Sequence, residues 1–201
     1  MLNKMIILCI FLSSFCVTEV FGADSINGRL GVTGNIGFIV PADNHAFGVR
    51  LNSDTGFIVG GGIIYGLMDN VAAELTVTRA EYDTDTVNAN RESIVTTNIS
   101  VGAQYRLETP VPKLHLFAGG GLEVIMFDVY LHNVGTMDTD TTFGAHVKGG
   151  VDYFIKPQLA LTSEVKGTVA ITVDLTNNGR TVGDFDPCNF SMTFGLRYFF
   201  N

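Results

Sequence analysis

The stretch Asn189-Phe190-Ser191-Met192-Thr193-Phe194-Gly195-Leu196-Arg197-Tyr198-Phe199-Phe200 decides the fold of this 201-residue chain. Large apolar side chains stand at every even position from Phe190 to Phe200, whereas the odd positions between them include Ser191, Thr193 and Arg197. A period of two is the pattern of a β-strand with one apolar and one polar face, and a helix would need apolar residues three or four apart. The stretch therefore predicts a strand whose two faces meet different environments.

Seven earlier segments alternate in the same way, and their spacing predicts the architecture. Runs of about 9–13 residues match a tilted strand that crosses a bilayer. An even number of strands, with short turns at one end and long polar links at the other, is the layout of an outer-membrane barrel. We therefore predict an all-β fold, an eight-stranded antiparallel up-and-down transmembrane β-barrel. The segments are 30–40, 57–67, 71–78, 98–107, 114–126, 143–153, 159–168 and 190–200, and the long links lie near 41–56, 80–93, 128–142 and 170–188.

A soluble eight-stranded barrel shows the same alternation, so the placement of aromatic residues has to separate the two classes. Tyrosines on the apolar face cluster near the short turns, and phenylalanines on the same face cluster near the long links. Aromatic rings at both borders of an apolar band are the interfacial girdles of a membrane barrel. In the core of a soluble barrel, tyrosine would not be concentrated at one end. We predict a periplasmic-side girdle of Tyr65, Tyr105, Tyr153 and Tyr198 and an outer girdle of Phe57, Phe143 and Phe190.

The first residues follow a different pattern. Lys4 precedes a short apolar run, and small residues follow near Gly22. Because the run is too short to span a membrane, it predicts a cleaved secretory signal peptide. We expect the signal peptide at residues 1–22 and the barrel domain at residues 23–201. Cys188 would then be the one cysteine of the mature chain, which excludes an intrachain disulfide.

Residues 23–201 resemble the small OmpA-like and OmpX-like outer-membrane barrels and the opacity-type surface proteins grouped with them. The resemblance rests on the strand pattern rather than on a short motif. It implies a porin-like protein of the Gram-negative outer membrane, with periplasmic termini and extracellular long loops. The alternating aromatics that end at Phe200 resemble the C-terminal signal for barrel insertion, although Asn201 follows.

The polar face of the strands carries acidic and basic side chains in equal number. Eight strands enclose an interior that side chains can fill. Buried charges persist there only in pairs, since each unpaired ion costs several kcal/mol. We therefore predict an ion-pair network that plugs the barrel; the alternative is a narrow gated channel for ions or small apolar molecules. The predicted members are Glu74, Arg106, Glu123, Lys148, Asp152, Glu164, Lys166 and Arg197, supported by Asn98, Gln104 and His146.

The long links carry the formal net charge of −8. Three aspartate pairs recur in them, and paired carboxylates suit Ca²⁺ or Mg²⁺, which prefer oxygen ligands. The spacing lacks the glycine and the closing glutamate of an EF-hand loop, so solvated, self-repelling loop tips are the default interpretation. We expect no cofactor. The pairs are Asp83 and Asp85, Asp138 and Asp140, and Asp184 and Asp186.

Three functions are open for such a barrel. The first is a surface protein whose loops serve adhesion, antigenicity or envelope stability, and the second is a narrow channel. The third is an enzyme that modifies lipid A, which needs a nucleophile with a histidine and a carboxylate; we recognise no such arrangement and expect no enzyme. The expected partners are outer-membrane lipid and lipopolysaccharide, the barrel-insertion machinery, and a host or surface ligand. The absence of a basic patch argues against nucleic acid.

Overall fold

The computed structural model describes residues 25–42, 44–46, 49–85, 91–131, 135–136, 140–177 and 180–200. The predicted signal peptide lies outside these residues and stays a prediction. Within the described part, the chain forms one sheet of thirteen strands. The strands are β1 (Leu30–Pro41), β2 (Asn44–Ala46), β3 (Val49–Ser53), β4 (Gly56–Gly66), β5 (Val71–Asp85), β6 (Arg91–Glu108), β7 (Leu114–Leu131), β8 (Gly135–Thr136), β9 (Asp140–Lys156), β10 (Leu159–Ala170), β11 (Val173–Asn177), β12 (Arg180–Phe185) and β13 (Asn189–Phe199).

None of the described segments forms a helix of the length and apolar character that a membrane crossing requires.

Eight long strands form the wall, and the prediction of an eight-stranded barrel is confirmed. In spatial order they are β1, β4, β5, β6, β7, β9, β10 and β13, each antiparallel to its neighbour. The barrel closes where β1 pairs with β13, in a register that sets Val32 opposite Tyr198 and Phe38 opposite Met192. Closure leaves the wall without a free edge, which a sheet in lipid requires because unpaired backbone groups find no water there.

The prediction that the long links are loops is wrong in part. β5 runs on to Asp85, β6 starts at Arg91, and two further hairpins form, one from β2 with β3 and one from β11 with β12. On β5 the outward Glu81 is exposed and charged, as in a loop. The inward Tyr82, Ile94 and Phe127 are apolar, however, and they are buried inside the barrel. This packing extends the wall strands beyond the predicted apolar band.

The two faces of the wall follow the predicted alternation. Outward side chains such as Phe38, Leu122 and Val147 are 59%, 66% and 72% exposed, whereas the inward Asp152 is 0% exposed. A soluble protein buries its apolar side chains, so this inside-out distribution fits a wall that faces lipid.

The aromatic residues of the two predicted girdles stand on the outward face. Tyr65, Tyr105 and Tyr198 are exposed near the short turns, and Tyr153 is half-buried at the same level. Asn70 in the turn after β4 donates a 2.8 Å hydrogen bond from its Nδ2 to the Tyr105 hydroxyl. At the opposite end, the outward side chains of Phe57, Phe143 and Phe190 are all more than half exposed. We call these two ends of the barrel the turn end and the hairpin end.

Two apolar layers close the interior, one near each end. The hairpin-end layer lies above the polar middle and the turn-end layer lies below it. The hairpin-end layer consists of Ile39, Ile58, Ala80, Tyr82, Ile94, Ile125 and Phe127, and the turn-end layer consists of Ile26, Ile64, Ala72, Phe154, Ala160 and Phe199.

Candidate functional site in the barrel interior

The charged side chains of the polar face meet between the two apolar layers. Each of them stands at an inward position of its strand, where the two-residue period of the strand directs it into the barrel. The structure brings all eight predicted residues into contact with an opposite charge, and seven of them are less than a tenth exposed as side chains. Glu164 is the exception, with a side chain 17% exposed.

Asp152 is the anionic centre of the first group. Arg197 donates from Nη1 to Asp152 Oδ2 at 2.7 Å, and Arg106 Nη2 lies 2.8 Å from the same oxygen. Arg197 also reaches Glu74 Oε1 at 3.4 Å and donates from Nε to the Thr33 hydroxyl at 3.1 Å. The planar guanidinium therefore joins β13 to β9, β5 and β1 at once, which its fixed fork of donors permits.

Lys148 is the cationic centre of the second group. Its Nζ donates to Glu74 Oε2 and, at 2.9 Å, to Glu164 Oε2. Glu74 also meets Arg197, so this carboxylate links the two groups. Lys148 on β9 and Glu164 on β10 stand on neighbouring strands, whereas the contact between Lys148 and Glu74 on β5 spans the barrel.

Glu123 holds the third group, nearer the hairpin end. Lys166 Nζ donates to Glu123 Oε2 at 3.2 Å, and the Ser100 hydroxyl donates to the same oxygen at 3.0 Å. His146 Nδ1 is 4.0 Å from this oxygen, close enough to add a second cation when the imidazole is protonated. Glu123 is fully buried, so Lys166 and Ser100 provide the stabilisation that water would provide outside.

Gln104 acts as a neutral bridge in the first group. With its amide oriented to suit its neighbours, the nitrogen donates to Glu74 Oε1 at 2.9 Å and the oxygen accepts from Arg106 Nη1 at 3.2 Å. It is 1% exposed. An amide supplies both a donor and an acceptor, so Gln104 satisfies an anion and a cation without changing the charge balance.

Three inward aromatic rings were not predicted as part of this site. The Phe117 ring lies 5.2 Å from the Arg197 guanidinium and 5.7 Å from Lys148 Nζ, while Phe154 and Phe199 each lie 5.8 Å from the Arg106 guanidinium. Such cation–π contacts are favourable where the cation is desolvated. A signal existed in the sequence, because Phe117, Phe154 and Phe199 are apolar residues at positions where the alternation calls for polar ones.

The described residues enclose a small cavity in the polar layer. The cavity between its side chains measures about 30 Å³, roughly the volume of one water molecule. It is lined by polar groups that include Thr76, His146, Lys166 and Thr193. In the described residues, the interior charges are thus equal in number and lie between the two apolar layers.

Four of the six predicted acidic residues lie in strands, whereas Asp186 lies between β12 and β13. Asp83 and Asp85 belong to β5, Asp140 begins β9 and Asp184 belongs to β12, so their position in loops is corrected. Asp138 lies outside the described residues. Among the residues that the structure describes, no three His, Cys, Asp or Glu side chains form a group that could hold a metal ion.

A closed barrel with a lipid-facing outer wall and a charge-filled interior defines the class: a transmembrane β-barrel of the bacterial outer-membrane type. Residues 7–199 match the model of one protein family, the outer membrane protein beta-barrel domain. The chain belongs to this family, which places it in the bacterial outer membrane. The resemblance inferred from the strand pattern is thereby confirmed.

Solved structures of similar fold are small outer-membrane barrels. OprG from Pseudomonas aeruginosa aligns with a TM-score of 0.64 at 14% identity, covering 87% of this chain and 97% of that one. The Neisserial surface protein A aligns with a TM-score of 0.63 at 16% identity, covering 85% and 97%. The outer membrane protein W of E. coli aligns with a TM-score of 0.53 at 15% identity, covering 87% and 98%. No curated protein matches the chain.

Proposed function

We propose that this outer-membrane barrel is a closed surface protein that acts through its hairpin end, in adhesion, envelope stability or another surface contact. The observation that carries the proposal is the filled interior. Eight paired charges leave a cavity of about one water molecule, and an apolar layer lies on either side of them. A barrel without a path through it meets other molecules at its wall and at its ends.

The wall and the two ends have different partners in this proposal. The wall contacts lipid and, in the outer leaflet, lipopolysaccharide. The turn end faces the periplasm and the hairpin end faces the outside, because outer-membrane barrels place short turns on the periplasmic side and long connections outside. The hairpin end then presents the excess acidic residues to a host or surface ligand. The proposed role is one of contact rather than catalysis, so lipid A composition should be the same with and without the protein.

Orientation is tested with a matched pair of cysteine variants in a Cys188→Ser background. Asp54→Cys places an exposed thiol at the hairpin end, and Met68→Cys places one in a turn at the other end. An impermeant maleimide should label Asp54→Cys on intact cells and Met68→Cys only after the outer membrane is permeabilised. Labelling in the reverse order would overturn the orientation.

Surface action is tested by replacing residues 44–53 and 173–185 with short turns and leaving the wall intact. Cells with the trimmed protein should lose attachment to surfaces or resistance to detergent, to the level of cells that lack the protein. Folding is checked by the gel mobility of unboiled samples. A trimmed protein that retains every phenotype of the parent, together with steady ion conductance of the parent, would favour the channel instead.

A further inference from the structure

A short segment before β1 lies across the turn end of the barrel. Residues 25–29, which we call the strap, cross between the turn after β4 and the turn after β9. Ile26 in the strap is 2% exposed and belongs to the turn-end layer, although Ser25, Asn27 and Gly28 beside it are exposed. One side chain of an otherwise solvated segment thus points into the barrel mouth.

In the described part of the chain, the backbone hydrogen bonds between the strap and the wall all involve Gly66. Gly28 N donates to Gly66 O at 2.8 Å, and Gly66 N donates to Arg29 O at 3.0 Å. Asn27 and Gly66 form an isolated bridge rather than part of a ladder. Arg29 adds a bond from Nη2 to Pro157 O at 3.1 Å and lies over the Phe199 ring. The Ser25 hydroxyl donates to Asp69.

Gly66 is required for this arrangement. A Cβ at this position would overlap the carbonyl oxygen of Ile26, and its three nearest atoms would all belong to Ile26 and Asn27. Replacing Gly66 by alanine should therefore displace the strap, although the Ile26 side chain itself is not altered. The strap itself turns at Gly28, whose φ of +72° suits glycine.

A cleft at the turn end lies beside this strap. It has a volume of about 250 Å³ and is lined by residues that include Asp69, Asn70, Glu108 and His115 at the rim and Arg106 and Phe154 at its base. Ile26 also lines it. Arg106 contacts Asp152 of the polar layer. Ile26 and Phe154, both buried, thus lie beside the part of the ion-pair network that is nearest the turn end.

We propose that the strap is a detachable stopper, in which Ile26 seals the turn-end mouth of the barrel and controls access to the buried charges. This inference rests on the proposed function, in which the interior of the barrel is closed. It adds that the interior opens at the turn end. Segments with few buried contacts open locally at a smaller free-energy cost than the whole fold. The strap has one buried side chain, whereas each wall strand has a ladder on both sides. Release of the strap exposes the turn-end layer while the hairpin-end layer remains closed.

The test measures how fast a buried thiol reacts with a small charged methanethiosulfonate. The mature protein with Cys188→Ser and Ala72→Cys is folded into vesicles; Ala72 is 0% exposed and lies opposite Gly66 in the turn-end layer. Adding Ile26→Ala or Gly66→Ala should raise the labelling rate by about tenfold or more. Ile58→Ala is the matched control, since it makes the same truncation at 2% exposure in the hairpin-end layer and should leave the rate unchanged.

Three outcomes are decisive. Faster labelling with both strap variants and not with Ile58→Ala supports the stopper. Equal rates in all variants, or an equal rise with Ile58→Ala, would overturn it. If Ala72→Cys does not give the folded band on an unboiled gel, Ala160→Cys, also at 0% exposure in the same layer, replaces it. The ion conductance of the parent protein is measured separately. A parent protein that conducts ions would refute the proposed function. A parent protein that does not conduct, combined with unchanged labelling rates in the strap variants, would refute the stopper alone.

Discussion

Replacing Lys166 by methionine tests the buried network most sharply. The substitution keeps the length of the side chain and removes the ammonium that lies 3.2 Å from Glu123. Glu123 is then left with the Ser100 hydroxyl at 3.0 Å and His146 at 4.0 Å. Because the Glu123 side chain is 0% exposed, bulk water does not take the place of the lost partner.

The magnitude follows from the cost of leaving one charge of a buried pair alone, which is about 3–5 kcal/mol. The cavity beside Lys166 holds about one water molecule, which places the expected loss at the lower end of this range. The double variant Glu123→Gln with Lys166→Met removes both charges and should differ from the parent by about 1 kcal/mol or less, since replacing both partners of a buried pair is often neutral. Lys156→Met, at an exposed position of the turn end, is the control and should cost about 0.5 kcal/mol or less.

The assay is a urea titration of protein folded in lipid vesicles, with the folded fraction read from the mobility of unboiled samples. The midpoint for Lys166→Met should fall and the midpoint for the double variant should recover. A loss below about 1 kcal/mol for the single variant would contradict the burial of this ion pair, because it would mean that Glu123 is solvated. A double variant as unstable as the single one would refute the pairing.

Three further predictions concern other parts of the barrel. On β1, Gly37→Ala should destabilise by about 1–3 kcal/mol in the same titration, because its Cβ would overlap the Met192 carbonyl oxygen, whereas Gly34→Ala, with open space around the Cβ, should be neutral; equal effects would contradict this. Burial and the neighbouring Asp186 raise the pKa of the Cys188 thiol, which precedes β13. Its thiolate fraction is therefore low at neutral pH, so alkylation should accelerate only above the ordinary cysteine pKa, and Asp186→Asn should move the profile to lower pH. Phe200 is 45% exposed and packs edge-on against Tyr198 at 5.2 Å, so Phe200→Ala should slow assembly by the insertion machinery in cells while leaving the urea midpoint of the folded barrel within about 1 kcal/mol; an unchanged assembly rate would count against an insertion signal.

The wall was predictable from the sequence because lipid and interior impose opposite demands on alternate residues. Leu122 and Glu123 are adjacent in the sequence, but Leu122 faces lipid whereas Glu123 faces the buried Lys166. The extension of β5 through Tyr82 to Asp85 escaped this reasoning, since its outward residues are charged as they would be in a loop. The apolar residues at inward positions indicated that the strand continues. Without the pairing register of the strands, however, the sequence pattern does not show that Tyr82, Ile94 and Phe127 contact one another.

The interior was predictable in composition and not in pairing. The period of two names the charged residues that point inward, and the need to neutralise buried charge predicts that they pair. It does not say that Lys148 on β9 bridges Glu74 on β5 and Glu164 on β10, because β5 and β9 are not neighbours in the sheet. That contact depends on strand tilt and on the width of the barrel. The strap escaped prediction for a similar reason, since Ile26 stands alone in a polar stretch and only the fold shows the mouth that it enters.

Ion conductance across a planar bilayer shows whether the interior of the barrel is closed. Purified protein is inserted in concentrated potassium chloride, and insertion is counted independently by labelling. We expect a silent membrane after insertion, because the paired charges and the two apolar layers occupy the interior of the described barrel. A steady conductance step that appears with most insertions would contradict it and would identify the barrel as a channel.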